Sequence, residues 1–556
     1  MAASFFTKRN LKGLQLHFPG SPEYERSVAT GNLEYKFETP LFVAKATQVS
    51  HVTAVVELAN KLGKRLTMKG GGHSFGGFSN SLDGILLDMS GMRKVELELS
   101  KDANNPGGIV TLQAGALWGN AYRLLVDKQI NNYTIMGGRC PAVGVSGFTM
   151  GGGLCVFTRS YGMGIDQLTE ATLVTVNEEG GVEVHTVTEN DTASKKKDLF
   201  WAVRGCGGGN YGVLVEMKMK VHRLFDKEGK VTSGQLVLCP ARNDEAAVQE
   251  LIDSVKPLHK ANWPDALTMD SFWVCDTSVQ SPLTITFPIY HNGNKADFDK
   301  TLAELLPKSK LAKQLSNAAI EENYTMFLQE TLPDQFRDDM LRYCPLNKTY
   351  NLNGSFVFEN DGDTIDQIAK HMAGFIKVFR GFPSAAGSKN ILELKMIHGG
   401  GKANRVETDE TAFPWRTGVY FGHIMVQWAD RSLGKMMRVF FERSRAALMK
   451  HSIEGKAAFI NFTDRTLKEE YPYAYYGVHY QRLQGVKQLW DPLDKFQFAQ
   501  SIRLPGTTES GPSLHAQELG GTLADVNSRW ERYVQPDKSF DELVKAEGHS
   551  CASCTK

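Results

Sequence analysis

The sequence predicts an α+β protein built from two domains, and three observations carry this expectation. The chain has 556 residues, 42% of them hydrophobic, so it can bury more than one core. Near its start, helical periodicity leads directly into a short strand that ends in a run of glycines. From about residue 226, strand-like and helical runs alternate, which predicts an antiparallel sheet backed by helices.

A helix, a strand and a glycine run follow one another near the start of the chain. The helix is predicted to begin at Val49 with Ser50 as its N-cap, and to end at Gly63. The run Arg65–Lys69 then predicts a strand, after which residues 70–72 are all glycine. Because glycine leaves no Cβ between the backbone and a ligand, we expect this loop to bind a diphosphate through its N–H groups.

Further strands are predicted at residues 84–89 and 109–113, followed by a helix that opens near Leu117. A Gly-x-Gly-x-x-Gly pattern occurs later, at residues 207–212. The run 213–221 after it alternates with period two and therefore predicts a strand. A nicotinamide-binding motif requires a helix at this point, so we do not interpret the pattern as such a site.

In the second half, strands are predicted at residues 283–290 and 417–428. Each is followed by a helical face, the first containing Phe298 and Leu302 and the second Met437 and Phe440. These runs define the antiparallel sheet and its helical layer.

The composition excludes several classes of partner. With 63 basic and 62 acidic residues, the net charge of +1 gives no field that favours nucleic acid or an anionic membrane. No apolar run reaches the roughly 18 residues of a membrane span. Residues 1–10 lack the apolar core of a secretory signal, so we expect a cytoplasmic protein, although Asn132 and Asn353 start glycosylation sequons. The 8 cysteines are too few for a disulfide scaffold, and Cys551-x-x-Cys554 lacks a second pair for zinc.

Two glycine-rich loops carry reactive side chains. His73 follows the first glycine run, and its neutral imidazole would be a nucleophile beside a bound ligand. Cys140 lies in a second loop, whose glycines again leave the backbone without bulky side chains. The stretches Gly71 to Ser74 and Cys140 to Gly147 resemble Gly-Gly-His-Ser and Cys-Pro-x-Val-Gly-x-x-Gly of the FAD-linked oxidases in the vanillyl-alcohol oxidase superfamily, in its berberine-bridge-enzyme-like branch.

This resemblance covers roughly residues 38–503 and implies a PCMH-type FAD-binding fold with a separate substrate domain. We expect the first part of the FAD-binding domain at residues 1–225, the substrate domain at 226–450, and a C-terminal module that returns to the FAD domain at 451–505. Residues 506–556 are predicted to be a polar tail with one helix near residues 540–546.

The resemblance also implies a bicovalent flavin, with His73 attached to the 8α-methyl group and Cys140 to ring carbon 6. Thioether formation requires a thiolate, and the adjacent Arg139 would favour one. By resemblance, the other residues that contact FAD are Lys69, Gly70, Gly71, Gly72, Ser74, Phe75, Gly77, Ser79, Gly115, Trp118, Tyr122, Gly138, Val143, Gly144, Gly147, Gly152, Gly153, Tyr161, Gly162, Asp166, Val213, Tyr476, His479 and Tyr480.

Three positions depart from the family pattern. His479 stands where the family usually has asparagine, and we expect it to donate a hydrogen bond near flavin N1. Phe462 replaces the tyrosine that serves many members as catalytic base, and Gly422 occupies approximately the position of the glutamate that others use. Neither replacement accepts a proton. Strand alternation places Tyr420 on the face of Gly422, which makes Tyr420 our first candidate base, and His398 is the second.

The sequence therefore predicts an FAD-linked oxidase that acts on a small organic substrate of the specialised-metabolite class, returns electrons to O₂ and forms H₂O₂. A flavin dehydrogenase that uses another acceptor is one alternative, against which Cys140 argues. A cyclase in which FAD is structural and no net oxidation occurs is the other, because both usual bases are missing. The sequence defines neither the substrate nor the oligomeric state.

Overall fold

The structure is a computed structural model that describes residues 11–30, 32–102, 107–343, 349–382 and 389–507. The helix predicted near residues 540–546 and the pair Cys551 and Cys554 lie outside the described residues.

The described strands form three sheets. In chain order, the strands are β1 Gln15–His17, β2 Phe42–Lys45, β3 Leu66–Lys69, β4 Ile85–Asp88, β5 Val95–Leu99, β6 Gly108–Gln113, β7 Tyr133–Ile135, β8 Leu168–Val176, β9 Val182–Thr188, β10 Val213–Arg223, β11 Lys230–Leu238, β12 Leu267–Met269, β13 Ser271–Asp276, β14 Thr284–His291, β15 Ala319–Asn323, β16 Tyr350–Phe358, β17 Ile391–His398 and β18 Tyr420–Trp428.

The α-helices lie between these strands and after them. In chain order, they are α1 Pro22–Val28, α2 Val49–Leu62, α3 Trp118–Asp127, α4 Val145–Met150, α5 Thr158–Tyr161, α6 Gly164–Gln167, α7 Ser194–Ala202, α8 Glu245–Lys260, α9 Lys295–Leu305, α10 Lys310–Ala318, α11 Tyr324–Tyr343, α12 Gly362–Arg380, α13 Gly434–Met449, α14 Tyr471–Tyr476 and α15 Tyr480–Trp490.

The first sheet has the strand order β1-β2-β4-β3, and β4 pairs parallel with both β2 and β3. The second has the order β5-β6-β10-β8-β9, with β7 also paired to β10. The third has the order β15-β11-β14-β13-β17-β18-β16, with β12 paired to β14, and its pairs are antiparallel. The predicted α+β class and the antiparallel sheet of the second half are confirmed.

The helix and strand before the first glycine run form as predicted, except at the helix start. Helix α2 ends at Gly63, which adopts the left-handed conformation at φ 59°. Its N-cap is Gln48 and not Ser50, which lies inside the first turn, and no side chain caps the helix. Packing of buried residues such as Val52 and Val55 therefore defines this helix more than its cap does.

The hydrophobic core divides into two large clusters. One joins the first two sheets with α2 and α3, and residues of the C-terminal segment such as Leu483 and Ile502 belong to it. The other lies between the third sheet and helices α8, α12 and α13, and contains Trp273 and Phe440. Among the described residues, no helix has the length and apolar character needed to cross a membrane.

Candidate active site

A cavity of about 780 Å³ lies where the glycine loops face the third sheet. The loops contribute residues 70–75, 143–144, 146–148 and 207–209, together with Cys140. The third sheet contributes Phe272, Tyr290, Lys395, Ile397 and His423, and a C-terminal turn contributes residues 459–463.

The two glycine loops touch through their backbones at Gly71 and Gly144. A Cβ built on Gly71 would lie 2.3 Å from the Gly144 nitrogen, and one built on Gly144 would lie 2.4 Å from the Gly71 nitrogen. Since neither backbone atom can move aside like a flexible side chain, both positions require glycine. This contact brings the loops of His73 and Cys140 to one cavity.

His73 is held in its neutral form. Burial, with a smaller contribution from the Lys69 cation, lowers the pKa of His73 to about 4. Lys69 itself does not line the cavity, because its ammonium donates to the carbonyl of Ser27 at 2.6 Å. At neutral pH the imidazole therefore keeps the lone pair that a nucleophile needs.

The loop of Cys140 is attached to the start of α3 and to the third sheet. Gly119 and Trp118 donate backbone hydrogen bonds to the carbonyls of Pro141 and Val143 at 2.8 and 3.1 Å. Arg139 forms a paired hydrogen bond with Asp270, in which Nη2 lies 2.8 Å from Oδ1. Cys140 is thus held from both sides.

A third loop on the cavity was not recognised as a site from the sequence, apart from Val213. Gly207 and Gly209 line the cavity with φ of 77° and 80°, and Gly212 and Val213 line it next to them. The strand β10 begins at Val213, which confirms that the Gly-x-Gly-x-x-Gly pattern does not open a helix. Its glycines nevertheless leave the cavity wall without side chains.

Comparisons with known proteins agree with this geometry. The model of an FAD binding domain matches residues 40–183, and that described as "Berberine and berberine like" matches residues 458–503. An FAD-linked oxidoreductase of Bacillus subtilis, YgaK, is 26% identical over 78% of this chain and 85% of its own. Tetrahydroberberine oxidase of Argemone mexicana is 25% identical over 86% of this chain and 85% of its own.

Solved structures share the fold. A variant of berberine bridge enzyme matches with a TM-score of 0.73 at 17% identity, covering 92% of this chain and all of the other. BBE-like 1 of Physcomitrella patens matches with a TM-score of 0.70 at 24% identity, covering 91% of this chain. This chain is an FAD-dependent oxidoreductase that carries an FAD binding domain and a C-terminal segment similar to berberine bridge enzyme-like proteins.

The cavity of this oxidoreductase fits FAD. Its volume of about 780 Å³ lies within the roughly 300–1,000 Å³ of cofactor and ligand sites. The glycines at 70–72, 144 and 207–209 leave room for a diphosphate or ring close to the backbone. Besides His73 and Cys140, the predicted contacts that line the cavity are Gly70, Gly71, Gly72, Ser74, Phe75, Ser79, Val143, Gly144, Gly147 and Val213.

Other predicted FAD contacts support these loops from behind and do not line the cavity. Tyr122 donates to the carbonyl of Gly138 at 2.6 Å, and Trp118 packs edge-on against Phe148. A Cβ on Gly115 would lie 1.7 Å from the Met89 carbonyl oxygen, so glycine is needed there for chain packing. These residues shape the loops, and their contact with FAD stays a prediction.

The glycines around the cavity loops have similar packing roles. A Cβ on Gly77 would lie 2.7 Å from the Tyr35 ring. Gly152 and Gly153 have φ of 135° and 76°, and they pack against Phe459 and Gly164. None of these three glycines lines the cavity.

Tyr161, Gly162 and Asp166 form a structural corner away from the cavity. The Tyr161 hydroxyl donates to the carbonyl of Arg223 at 2.6 Å. Asp166 accepts from the Met163 N–H at 2.8 Å and forms a buried ion pair with Arg416, also at 2.8 Å. Gly162, at φ 100°, packs directly against Asp166.

The three predicted contacts of the C-terminal module also lie away from the cavity. The Tyr476 hydroxyl donates to the carbonyl of Cys206 at 2.9 Å, and the Tyr480 hydroxyl accepts from the Arg503 N–H at 3.2 Å. His479 Nδ1 lies 3.3 Å from the carbonyl oxygen of Ala412, with its ring edge-on to Trp201. The interpretation of His479 as a donor to the flavin ring does not fit this placement.

Neither predicted base faces the cavity. Tyr420 is 2% exposed, packs in the core behind the third sheet, and donates to the carbonyl of His259 at 3.0 Å. His398 is also 2% exposed, and its Nδ1 accepts from the Met269 N–H at 3.1 Å. Tyr420 and Gly422 do share a face of β18, but that face is turned to the helical layer. Neither side chain lines the cavity, so this geometry does not support either one as catalytic base.

His423 lies on the opposite face of β18 from Tyr420 and lines the cavity, and it was not among the candidate bases chosen from the sequence. Its ring lies 4.6 Å from that of Phe75, in the loop of His73, and 5.2 Å from that of Phe462. Its Nε2 lies 3.1 Å from Oδ1 of Asn353, an acceptor, so Nε2 carries the proton in the neutral ring and Nδ1 is the basic nitrogen. Asn353, which starts a sequon, is buried in this contact.

Lys395 lies directly opposite His423 in the pairing of β17 and β18, and both line the cavity. Its ammonium lies 5.7 Å from the centre of the Phe272 ring and 3.4 Å from a carboxylate oxygen of Glu393. The cavity therefore presents a base and a cation side by side in a largely apolar wall. The apolar residues of this wall include Leu154, Ile289, Ile397, Phe459 and Phe462.

Proposed function

We propose that this oxidoreductase is an oxidase that holds FAD through covalent bonds to both His73 and Cys140. The observation that carries the proposal is the contact between Gly71 and Gly144, which brings both nucleophiles to one cavity. A glucooligosaccharide oxidase of Acremonium strictum, which shares the fold with a TM-score of 0.70, is described with 6-S-cysteinyl, 8α-N1-histidyl FAD. A histidine and a cysteine also line the cavity here, at His73 and Cys140.

The substrate that this cavity favours is a mainly apolar alcohol. Aromatic and aliphatic side chains line the wall of the third sheet, and they bind flat, apolar groups better than the many hydroxyls of a sugar. His423 is placed to take the O–H proton, and Lys395 beside it would stabilise the oxygen anion that forms. We infer that the carbon to be oxidised bears this hydroxyl group.

The overall reaction converts R₂CHOH and O₂ into R₂C=O and H₂O₂. Bound FAD supplies the two-electron acceptor that takes the hydride and is reoxidised by O₂. The protein contributes His423, the side-chain oxygen of Asn353 that orients it, the Lys395 cation, and the phenyl rings that exclude water.

Anaerobic mixing with chosen probes tests this function. 4-Hydroxybenzyl alcohol and cinnamyl alcohol represent the apolar class, and glucose and cellobiose represent carbohydrates. We expect an apolar probe to bleach the flavin absorption without O₂, and admission of O₂ to restore the colour with one H₂O₂ per turnover. Reduction by the sugars alone would contradict the substrate class. A reduced flavin that O₂ does not reoxidise would indicate a dehydrogenase, and product formed without bleaching would indicate a cyclase.

A further inference from the structure

The ion pair of Arg139 and Asp270 connects the Cys140 loop to the substrate-domain sheet. Asp270 lies between β12 and β13, and its carboxylate is completely buried, whereas the Arg139 side chain is 16% exposed. The two guanidinium nitrogens Nε and Nη2 contact the two carboxylate oxygens, and Nη1 donates to the carbonyl of Leu154 at 2.7 Å. Each guanidinium nitrogen therefore has an acceptor, and the geometry of Arg139 is fixed.

Asp270 is itself held in place by the neighbouring strand. Its Oδ1 accepts from the backbone N–H of His398 at 2.9 Å, and its own N–H donates to the carbonyl of Pro288 at 3.1 Å. The imidazole of His398 fixes the other side of the same turn by accepting from the Met269 N–H. The carboxylate is thus a rigid acceptor provided by the third sheet.

The ion pair with Asp270 keeps the Arg139 guanidinium charged next to Cys140. An unpaired guanidinium would be costly in this buried position, since burial alone lowers the pKa of Arg139. The Asp270 carboxylate more than reverses this effect, so the pKa of Arg139 is raised overall. The cation therefore stays in the cavity wall, one residue from the thiol. A cysteine next to a fixed cation forms its thiolate more readily.

We propose that Asp270 is a positioning residue for the covalent attachment of FAD to Cys140: by fixing Arg139, it holds Cys140 in the cavity as a nucleophile. This inference rests on the proposed function, because it presupposes the Cys140 link. Linkage replaces a ring C–H bond by a C–S bond. The thiol proton, the ring hydrogen and two electrons pass to O₂, so that RSH, ArH and O₂ give RSAr and H₂O₂. The attachment of FAD to Cys140 then depends on the Asp270 carboxylate, which the third sheet provides.

The test is the mass of flavin-bearing peptides from the denatured and digested holoprotein. The variant Asp270→Asn keeps the size of the side chain and one acceptor oxygen but removes the charge. We expect its FAD to remain on His73, while the Cys140 link forms at least about tenfold more slowly, as the loss of a charged hydrogen bond implies. Asp464→Asn is the matched control, because the pair of Arg445 and Asp464 has the same exposures of 16% and 0%. It should keep both links.

A pH profile separates positioning from general destabilisation. When singly linked Asp270→Asn protein is incubated in air, linkage at Cys140 should accelerate as the pH rises toward the ordinary thiol pKa of about 8.5, because the thiolate fraction then grows without help from Arg139. Linkage in the parent should depend less on pH. A rate in Asp270→Asn that does not change with pH would contradict the proposal.

The double variant Arg139→Leu with Asp270→Leu covers the case in which Asp270→Asn does not fold, because removing both charges leaves no unpaired ion. It should carry FAD on His73 and lack the Cys140 link. Linkage at Cys140 at the parental rate in either variant would overturn the positioning role and leave the proposed function intact. A parent protein without a Cys140 link would overturn both.

Discussion

The chemistry proposed for the cavity depends most on the side chain of His423. The variant His423→Gln retains hydrogen-bonding groups but cannot take a proton, so it should slow flavin reduction by 4-hydroxybenzyl alcohol by about 10²–10⁴. Stopped-flow absorbance measures this rate. The covalent links to His73 and Cys140 should remain, because His423 lies on the opposite wall. A reduction rate within a few-fold of the parent would exclude His423 as the base.

Tyr420 provides the corresponding control on the same strand. Because its hydroxyl only donates to the His259 carbonyl, Tyr420→Phe should leave the rate of flavin reduction within a few-fold of the parent. It leaves a buried carbonyl without its donor, which typically costs about 1–3 kcal/mol of unfolding free energy. Denaturant titration measures that loss. A large decrease in the rate with an unchanged stability would show that Tyr420 acts in catalysis after all.

The difference between Tyr420 and His423 shows what strand alternation does and does not reveal. The period of two placed Tyr420, Gly422 and Ile424 on one face, and the structure has them so. The alternation does not show which face of β18 lines the cavity, because the strand is buried on both sides and only Met425 is partly exposed. The tertiary structure, in which β18 pairs with β16 and β17, determines which face lines the cavity.

At the level of elements, the two glycine loops were predictable from the sequence and their mutual contact was not. Glycine runs after a strand and around a cysteine indicate close backbone approach, and the resemblance assigned both to one flavin. Trp118 and Tyr122 support the Cys140 loop through packing and a hydrogen bond, whereas Asp166 forms an ion pair with Arg416 away from the cavity. A linear pattern does not distinguish a residue in the cavity wall from one behind it.

The variant Gly71→Ala tests the loop contact. Its Cβ would lie 2.3 Å from the Gly144 nitrogen, so the loops must separate. Overpacking of this kind typically costs about 1–3 kcal/mol, and we expect less covalently bound FAD as well. Gly374→Ala in α12 is the control, since nothing lies within 4 Å of its Cβ and alanine there should stabilise the helix by up to about 1 kcal/mol. Full covalent FAD in Gly71→Ala would show that the contact is not needed.

At the level of the whole molecule, buried histidines predict loss of stability in mild acid. Burial lowers the pKa of His259 to about 4, below the roughly 6.5 of an unfolded chain. Between these values the unfolded state binds more protons than the folded state, so the unfolding free energy falls as the pH drops. Above a pH of about 6.5 the stabilising contribution of His259 is fully present. At pH 5 the loss from this residue is about 2 kcal/mol.

Denaturant titrations of the parent and of His259→Phe at pH 7 and pH 5 measure this contribution. The variant should lose about 2 kcal/mol less than the parent between the two pH values, whatever the other histidines contribute. The phenyl ring fits the aromatic surroundings of Trp273, Phe287 and Tyr420. Equal losses in parent and variant would show that His259 does not titrate in this range.

We propose that two backbone loops, brought together at Gly71 and Gly144, hold one FAD by bonds to His73 and Cys140. The most direct measurement is the intact mass of the acid-denatured protein, compared with His73→Ala, Cys140→Ala and the double variant. We expect the parent and each single variant to retain the mass of one FAD, and the double variant to retain none. A parent mass equal to that of the bare polypeptide would contradict it.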